Sequence, residues 1–452
     1  MDDKRIHLLK NEKVSKAVNK MATPAIIGMI VMAIYNVVDS IFVSWISEEG
    51  YEVAATQVVF PIMLIASSIG LALGMGGGSY ISRLLGKNNK IEANKVATVS
   101  FFTGIILGLI LTTVNLFFLE PILNLFGADV NTLDLAKEYG SYIIFGYAFT
   151  ILNMILNNIL RSEGSAKYSM IGMAIGSVLN IILDPIFIFV FGWGIAGAAI
   201  ATMLSQFVSS AILLSIFIRG KSLIKIAPKN FKPSVAIYKE ILKVGIPTFF
   251  RQVLVSVAIG ILNNAASDVS TDLVTAIGII TRVSMIPMYF VFGFCQGFQP
   301  VAGYNFGAGN KQRVKDSFRY ALKVSLGIVI IASIFFLLFS DVIFIIYNSS
   351  ESVTNYGMIG FRYYAIGMLF MGISNPIAVF YQSLGRGVEA LILSVSRQGL
   401  FFIPLILILP GIFGVDGVLI SQALGDFLTA LLSIAVIAPF FINKKLDVLM
   451  TH

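Results

Sequence analysis

Charge is scarce in this chain. Of 452 residues only 12% are Asp, Glu, Lys or Arg, against roughly 25% in an ordinary soluble domain. A water-facing globular fold is therefore excluded. Cysteine is rarer still. Cys295 stands alone, so no intramolecular disulfide and no thiolate metal site can form. Histidine occurs only as His7 and His452, at the extreme ends. A histidine proton relay inside the membrane is thus ruled out, and any proton handling falls to carboxylates. Short alternating apolar segments, the mark of a membrane β-barrel, are missing too. So is any Ser/His, Cys/His or metal-ligand constellation in the spans or loops, and an enzyme is not expected.

Hydrophobic residues make up 57% of the chain and the mean hydropathy is +0.87. They gather into runs of about 20 or more, the length that crosses a bilayer as a helix. Twelve runs lie near 21–46, 54–82, 96–119, 139–161, 168–190, 195–218, 241–266, 275–304, 320–340, 358–383, 389–411 and 417–442. The loops between them alternate in sign. Arg83, Lys87, Lys90 and Lys95 follow the second run, Arg161 and Lys167 the fourth, and Arg219, Lys221, Lys225, Lys229 and Lys232 the sixth. Lys311, Arg313 and Lys315 follow the eighth, Arg386 the tenth, Lys444 and Lys445 the twelfth. Glu48, Glu49, Glu52, Asp129, Asp134, Asp268, Asp272, Glu351 and Asp416 mark the opposite side. Basic loops stay in the cytoplasm, which predicts a multi-pass cell-membrane protein with both termini inside. The surplus of +8 is then topology, and no nucleic-acid partner is expected. The Lys-rich first twenty residues read as a cytoplasmic leader and not as a cleavable signal peptide.

An internal repeat divides the chain. Shifted by about 221 residues, "LLGKNNK" at 84–90 overlays "NFGAGNK" at 305–311, "YIIFG" at 142–146 overlays "YYAIG" at 363–367, and "GIAGAAI" at 194–200 overlays "GVDGVLI" at 414–420. Pro24 and Pro247 open the first span of each half. An even number of spans returns the chain to its starting side, so the halves share one orientation and an axis along the membrane normal, with a cavity between them. The expected architecture is all-α integral membrane: a cytoplasmic segment 1–20, a first lobe 21–218 and a basic linker 219–240, then a second lobe 241–442 and a tail 443–452. Such a duplicated carrier is complete as a monomer. Mid-depth polar groups between two lobes favour an alternating-access transporter over a channel.

The fifth span places Ser177, Asn180 and Asp184 on one helical face, with Pro185 directly after. The first span carries Tyr35, Asn36 and Asp39, with Pro24 half a helix upstream, where a bend would re-aim Asp39. Thr202, Ser205 and Gln206 form a polar stripe in the sixth, while Tyr139, Asn153 and Asn157 belong to the fourth. Both acids fall in the outer half, about 16 to 18 residues from the cytoplasmic start of their spans at 1.5 Å each. An ionisable group there is expensive and usually functional. Two neighbouring carboxylates can take up a proton, share one, or bind a monovalent cation. Asn153, Asn157 and Ser205 are also read as glue between helices, and the cluster "GMGGGS" at 74–79 as close helix packing. In the second lobe Asp426 can pair with Arg251 or Arg397 as a silent structural pair; the alternative is a second ion or substrate site.

"RGKS" at 219–222 has the tail of a P-loop, but Ser215 stands where a glycine is required. With no nucleotide site, the energy source is an ion gradient, worth about 2.3 kcal/mol per charge per 100 mV. The twelve spans, "GSYISRLLGKNN" at 78–89 and "MIGMAIGSVLNIILDPIFIF" at 170–189 resemble the multidrug and toxic compound extrusion (MATE) family over essentially the whole chain. That resemblance implies an exporter of amphipathic, mostly cationic drugs driven by H+ or Na+, with no other cofactor. It implies a cation site of Asp39, Asn180, Asp184 and Thr202, with Tyr139 beside it, and a bending helix at Pro24. Asp39 and Asp184 are the metal ligands if Na+ is the coupling ion. Tyr35, Asn36, Asn153, Asn157, Met173, Ser205 and Gln206 are the candidate substrate contacts. The seventh and tenth spans, which supply acids in another branch, offer Arg251, Asn375 and Gln382 here. One rival is a flippase for a lipid-linked sugar, kept open by Arg251, Arg282 and Arg397. The other is a membrane enzyme or receptor.

Overall fold

The computed structural model describes residues 2–47, 50–347 and 350–442. Glu48, Glu49 and the tail 443–452, with Lys444, Lys445 and His452, lie outside the described residues. Every regular element among those described is helical. The first half holds α1 (Asp2–Lys10), α2 (Val14–Ser44), α3 (Tyr51–Gly86), α4 (Lys90–Phe117), α5 (Leu119–Leu125), α6 (Leu133–Phe145), α7 (Tyr147–Ser162), α8 (Ala166–Pro185) and α9 (Gly194–Ile218). The second holds α10 (Val235–Ser267), α11 (Thr271–Gly307), α12 (Lys311–Ile346), α13 (Glu351–Leu384), α14 (Gly387–Val395), α15 (Ile403–Phe413) and α16 (Val415–Ile442). Two stretches are π-helical: Ile186–Val190 continues α8, and Ser396–Phe402 joins α14 to α15.

Eleven described helices are long and apolar enough to cross a membrane, and α6 with α7, bent by 46°, supplies the twelfth span. Hydropathy alone gives one straight run here. The bend falls at Gly146, where an added Cβ would lie 3.1 Å from the Ile143 carbonyl and 3.4 Å from Met203 of α9. A larger side chain here would press on α9. Spans start where a polar cap meets the orphaned N–H groups: Asn89, Ser234, Ser270, Asn310 and Ser350 each accept from the N–H three residues on.

The lobes meet through α2 against α11 and α3 against α10 and α11. Small residues set that seam. A Cβ on Gly76 would collide with the Ile241 carbonyl, on Gly86 with that of Tyr304, on Gly307 with that of Arg83, and on Gly297 with the backbone of Ala22. Ser79 donates to the Gln382 carbonyl at 2.5 Å, and Arg83 pairs with Glu240 at 2.9 Å. All these contacts lie at the end of the bundle that carries the basic loops. Farther along α10 and α11, a Cβ on Gly260 or Gly278 would meet nothing within 4 Å. The cleft is shut at the basic end, and among the described residues the hydrogen bonds between lobes reach no farther than Met29 with Gln296 and Met75 with Thr248. The run "GMGGGS" serves packing on several sides: Gly74 faces Met154, Gly76 faces Ile241 and Gly77 faces Ser100.

The amino-terminal segment is more than a leader. Helix α1 straps the two lobes across the shut end. On one side Arg5 pairs with Glu163 at 3.3 Å and donates to the Lys221 carbonyl at 2.6 Å. On the other, Asn305 donates to the Leu9 carbonyl at 2.9 Å and Arg313 to that of Glu12 at 2.8 Å. Glu163, wholly buried, also accepts from Ser165, Ser222 and the N–H groups of Leu223 and Ile224. That carboxylate pins the start of the inter-lobe linker.

Candidate functional site

Helices α2 and α8 bring Asp39 and Asp184 face to face, with the carboxyls at hydrogen-bonding range of each other. Asp184 is fully buried, as are Asn180 and Tyr139 at 2% and 4% exposure; Asp39, Tyr35 and Thr202 are half-buried. The i, i+4 spacing on α8 lets the Asn180 amide donate to Asp184 Oδ1 at 3.1 Å. The same nitrogen reaches Thr202 Oγ1 of α9 at 3.2 Å. That fixes the amide orientation, because the flipped form would aim an oxygen at a carboxylate. Three acceptors are left buried with no donor: Asp39 Oδ1, Asn180 Oδ1 and Asp184 Oδ2. No basic side chain among the described residues acts on either acid.

Two carboxylates in contact, out of water and without a base, repel each other unless positive charge lies between them. The donor set is hard oxygen, which suits a proton or a small monovalent cation. No group of three or more His, Cys, Asp or Glu that could hold a metal ion occurs among the described residues. The tyrosines Tyr35 and Tyr139 are close enough to feel both charges. Helix α2 runs unbroken through Pro24, between Ala22 and Ile26, where Gly297 and Gly293 of α11 abut it.

The candidate substrate contacts scatter. Asn153 donates to the carbonyl and Oε1 of Gln206, at 2.9 and 2.6 Å, tying α7 to α9. Asn157 accepts from Ser169 at 2.8 Å, inside a buried network in which Arg161 donates to Asn158. Ser205 is buried with an unpartnered hydroxyl. Met173 packs where α8 crosses Gly28 of α2. Asn36 is exposed and donates to Met32 of its own helix. Of the set, Tyr35 alone joins the acid pair.

In the second lobe Asp426 pairs with Arg397, Nε to Oδ1 at 2.6 Å, and also accepts from Gln422 at 3.3 Å. Arg251 is left out of that pair. Sequence reasoning missed the Arg5–Glu163 clasp altogether. Its signal was there, since Glu163 is an acid in a loop otherwise marked by Arg161 and Lys167.

The chain is similar to known proteins over nearly its whole length. The family model described as MatE matches twice, over residues 24–186 and 247–408, an offset close to that of the repeat. The multidrug export protein MepA of Staphylococcus saprophyticus is 28% identical over 448 residues, covering 99% of this chain and 98% of its own. The outward-facing conformation of a multidrug resistance MATE family transporter of the MOP superfamily superposes with a TM-score of 0.91 at 28% identity, covering 99% and 98% of the two chains. A MOP superfamily transporter from Pyrococcus furiosus, whose binding pocket is described as of reverse polarity, superposes equally well, at 0.91 and 28% identity over 99% and 98%.

Proposed function

The chain belongs to the MatE family, and on that premise we propose that it is a secondary active multidrug exporter, a carrier and not an enzyme. It exchanges amphipathic, mostly cationic compounds for H+ or Na+ by alternating access. The observation that carries this reading is the Asp39–Asp184 contact: two acids, no base, and three buried acceptors awaiting positive charge. With the basic loops and both termini in the cytoplasm, the cleft opens outward. From that side a coupling ion reaches the acid pair and sits between the carboxyls, with Asn180 and Thr202 holding Asp184 in place. Filling the site removes the mutual repulsion and changes how α2 packs on α8, the helix pair that carries both acids. Because α2 also lies on α11 across the seam, occupancy of the site is passed to the contact between lobes. Each half supplies one wall of the cleft, so one chain suffices as the working unit.

A lipid-sugar flippase fits less well. It would need several free cations for a diphosphate, whereas Arg397 is neutralised by Asp426. The test is ethidium efflux from proteoliposomes under an imposed pH gradient or an imposed sodium gradient. Efflux driven by one of them, and lost in both Asp39→Asn and Asp184→Asn, is the expected result. Efflux undiminished in Asp184→Asn would end the coupling role of the pair.

A further inference from the structure

The second lobe holds a guanidinium that has no counter-charge. Arg251 lies on α10 about one turn beyond Thr248, whose hydroxyl is 4.0 Å from Met75 Sδ of the first lobe. On the neighbouring helix, Gln296 of α11 reaches Met29 of α2 at 3.7 Å. These contacts mark the floor where the lobes part, and Arg251 stands just above it. Its guanidinium lies 5.7 Å from the centre of the Phe292 ring, and its Nε is buried without an acceptor. Arg397, of like sign, acts on it, offset only by the thiol of Cys295. No carboxylate among the described residues pairs with it.

Asp426 cannot serve both arginines, being engaged by Arg397 at Nε and Nη2 and by Gln422. Two guanidiniums against one carboxylate leave a single net positive charge in a low-dielectric place, a costly state without an anion. Arg397 also sits in the π-helical stretch Ser396–Phe402, the kind of local widening often found at functional positions. Around this charge the walls are apolar and deformable: Phe292 under Arg251, and Met371 with its sulfur 2.7 Å from Arg397 Nη2.

We propose that Arg251, backed by the Arg397–Asp426 pair, is a carboxylate-binding subsite of the cleft, and that the substrates of this transporter include amphipathic compounds carrying one carboxylate. This deepens the exporter reading and rests on it. A guanidinium offers two parallel N–H groups that match a carboxylate. The net charge of the cluster is neutralised by one monoanion, whereas a diphosphate would overfill it. Phe292, half-buried beside Arg251, receives the apolar body of such a ligand.

A pair of probes isolates the carboxylate: dansyl-phenylalanine and its methyl ester, titrated by fluorescence onto the full chain. The wild type is expected to prefer the acid by about tenfold, with Arg251→Gln bringing the ratio near one. Arg251→Lys keeps the charge and loses the fork, and gives an intermediate ratio; it carries the test if the Gln variant does not elute as a monodisperse protein. A wild-type ratio near one, or a ratio unchanged in either variant, overturns the proposal. So does displacement of the acid by millimolar chloride at fixed ionic strength, which would identify a halide site. Ethidium efflux by wild-type proteoliposomes reports the exporter reading separately, so the two can fail independently.

Discussion

The two lobes are one fold written twice with opposite charge. In the first, α2 and α8 bring together Asp39 and Asp184, and no base acts on them. In the second, α10 and the junction of α14 with α15 bring Arg251 near Arg397, and the acid Asp426 is paired with Arg397 alone. Each half has one π-helical stretch in its fifth span, yet the two do not overlay: at the repeat offset of about 221 residues Ile186–Val190 would fall near 407–411, and the second stretch is Ser396–Phe402. The order of spans is inherited from the repeat, while the backbone distortions and the charged side chains are set separately in each half.

The largest effect separating the lobes is expected at Asp184. Replacing it with Asn removes the carboxyl pair while keeping size and the contact with Asn180. Ethidium efflux should fall at least about tenfold, a loss of roughly 1.4 kcal/mol or more in the driven step. If instead a second-lobe acid carried coupling, Asp184→Asn would export normally and Asp426→Asn would not, and the contrast between lobes would be reversed.

In stability rather than transport, the largest effect is expected at the second lobe's ion pair. Truncating Arg397 to Ala strands the buried Asp426 carboxylate, and breaking a buried pair on one side costs about 3–5 kcal/mol. Replacing both, as Arg397→Met with Asp426→Leu, removes the charge together with its partner and should recover most of that loss. Thermal unfolding of purified protein measures both. Equal loss in single and double variants would mean that packing, not uncompensated charge, is what the pair supplies.

How much of this was legible in the sequence follows from the range of the interactions. Asp184 with Asn180 is an i, i+4 pair, and the depth of Asp39 follows from counting 1.5 Å steps. Those were readable because helices in lipid must close their own hydrogen bonds, which leaves little freedom in backbone shape. The bend at Gly146 was not readable, since hydropathy measures how apolar a run is and not where it points. Nor could sequence choose between Arg251 and Arg397 as the partner of Asp426. Both lie at similar depth, and only the packing of α10 against the neighbouring spans decides. Which end of the cleft is shut was equally hidden, because one sequence must serve both arrangements.

Two glycines on neighbouring helices of the second lobe give a third contrast. Gly297 of α11 abuts Ala22 at the shut end, while Gly260 of α10 has open space around its α-carbon. Gly297→Ala should cost about 1–3 kcal/mol of overpacking and slow efflux, by forcing α2 and α11 apart near Pro24. Gly260→Ala should stay within about 0.5 kcal/mol, or gain slightly from helix propensity. Comparable losses at both positions would mean that close packing against Ala22 is not what sets the cost at Gly297.

A small global effect with a larger local one is expected at the strap. Glu163 lies outside the spans, and burial pushes its carboxyl above the ordinary value, while the bonds from Ser165, Ser222, Arg5 and Ile224 pull it back. The folded state therefore binds a proton there more readily than the unfolded chain does. Stability from this group is full below the unfolded value, about 4.3, and is lost as pH rises through the folded one. Glu163→Gln imitates the neutral form and keeps an acceptor for the linker N–H groups. Its cost near neutral pH should stay within about 1 kcal/mol, and the Glu163 part of the pH slope of stability should vanish. Locally the change is larger, because Arg5 loses its charged partner and α1 its hold on the first lobe. Amide exchange should speed up in α1 and in residues 222–224 while α11 and α13 stay protected. If α1 exchanged no faster in the Gln variant, the clasp to the second lobe through Asn305 and Arg313 would be enough to hold the strap by itself.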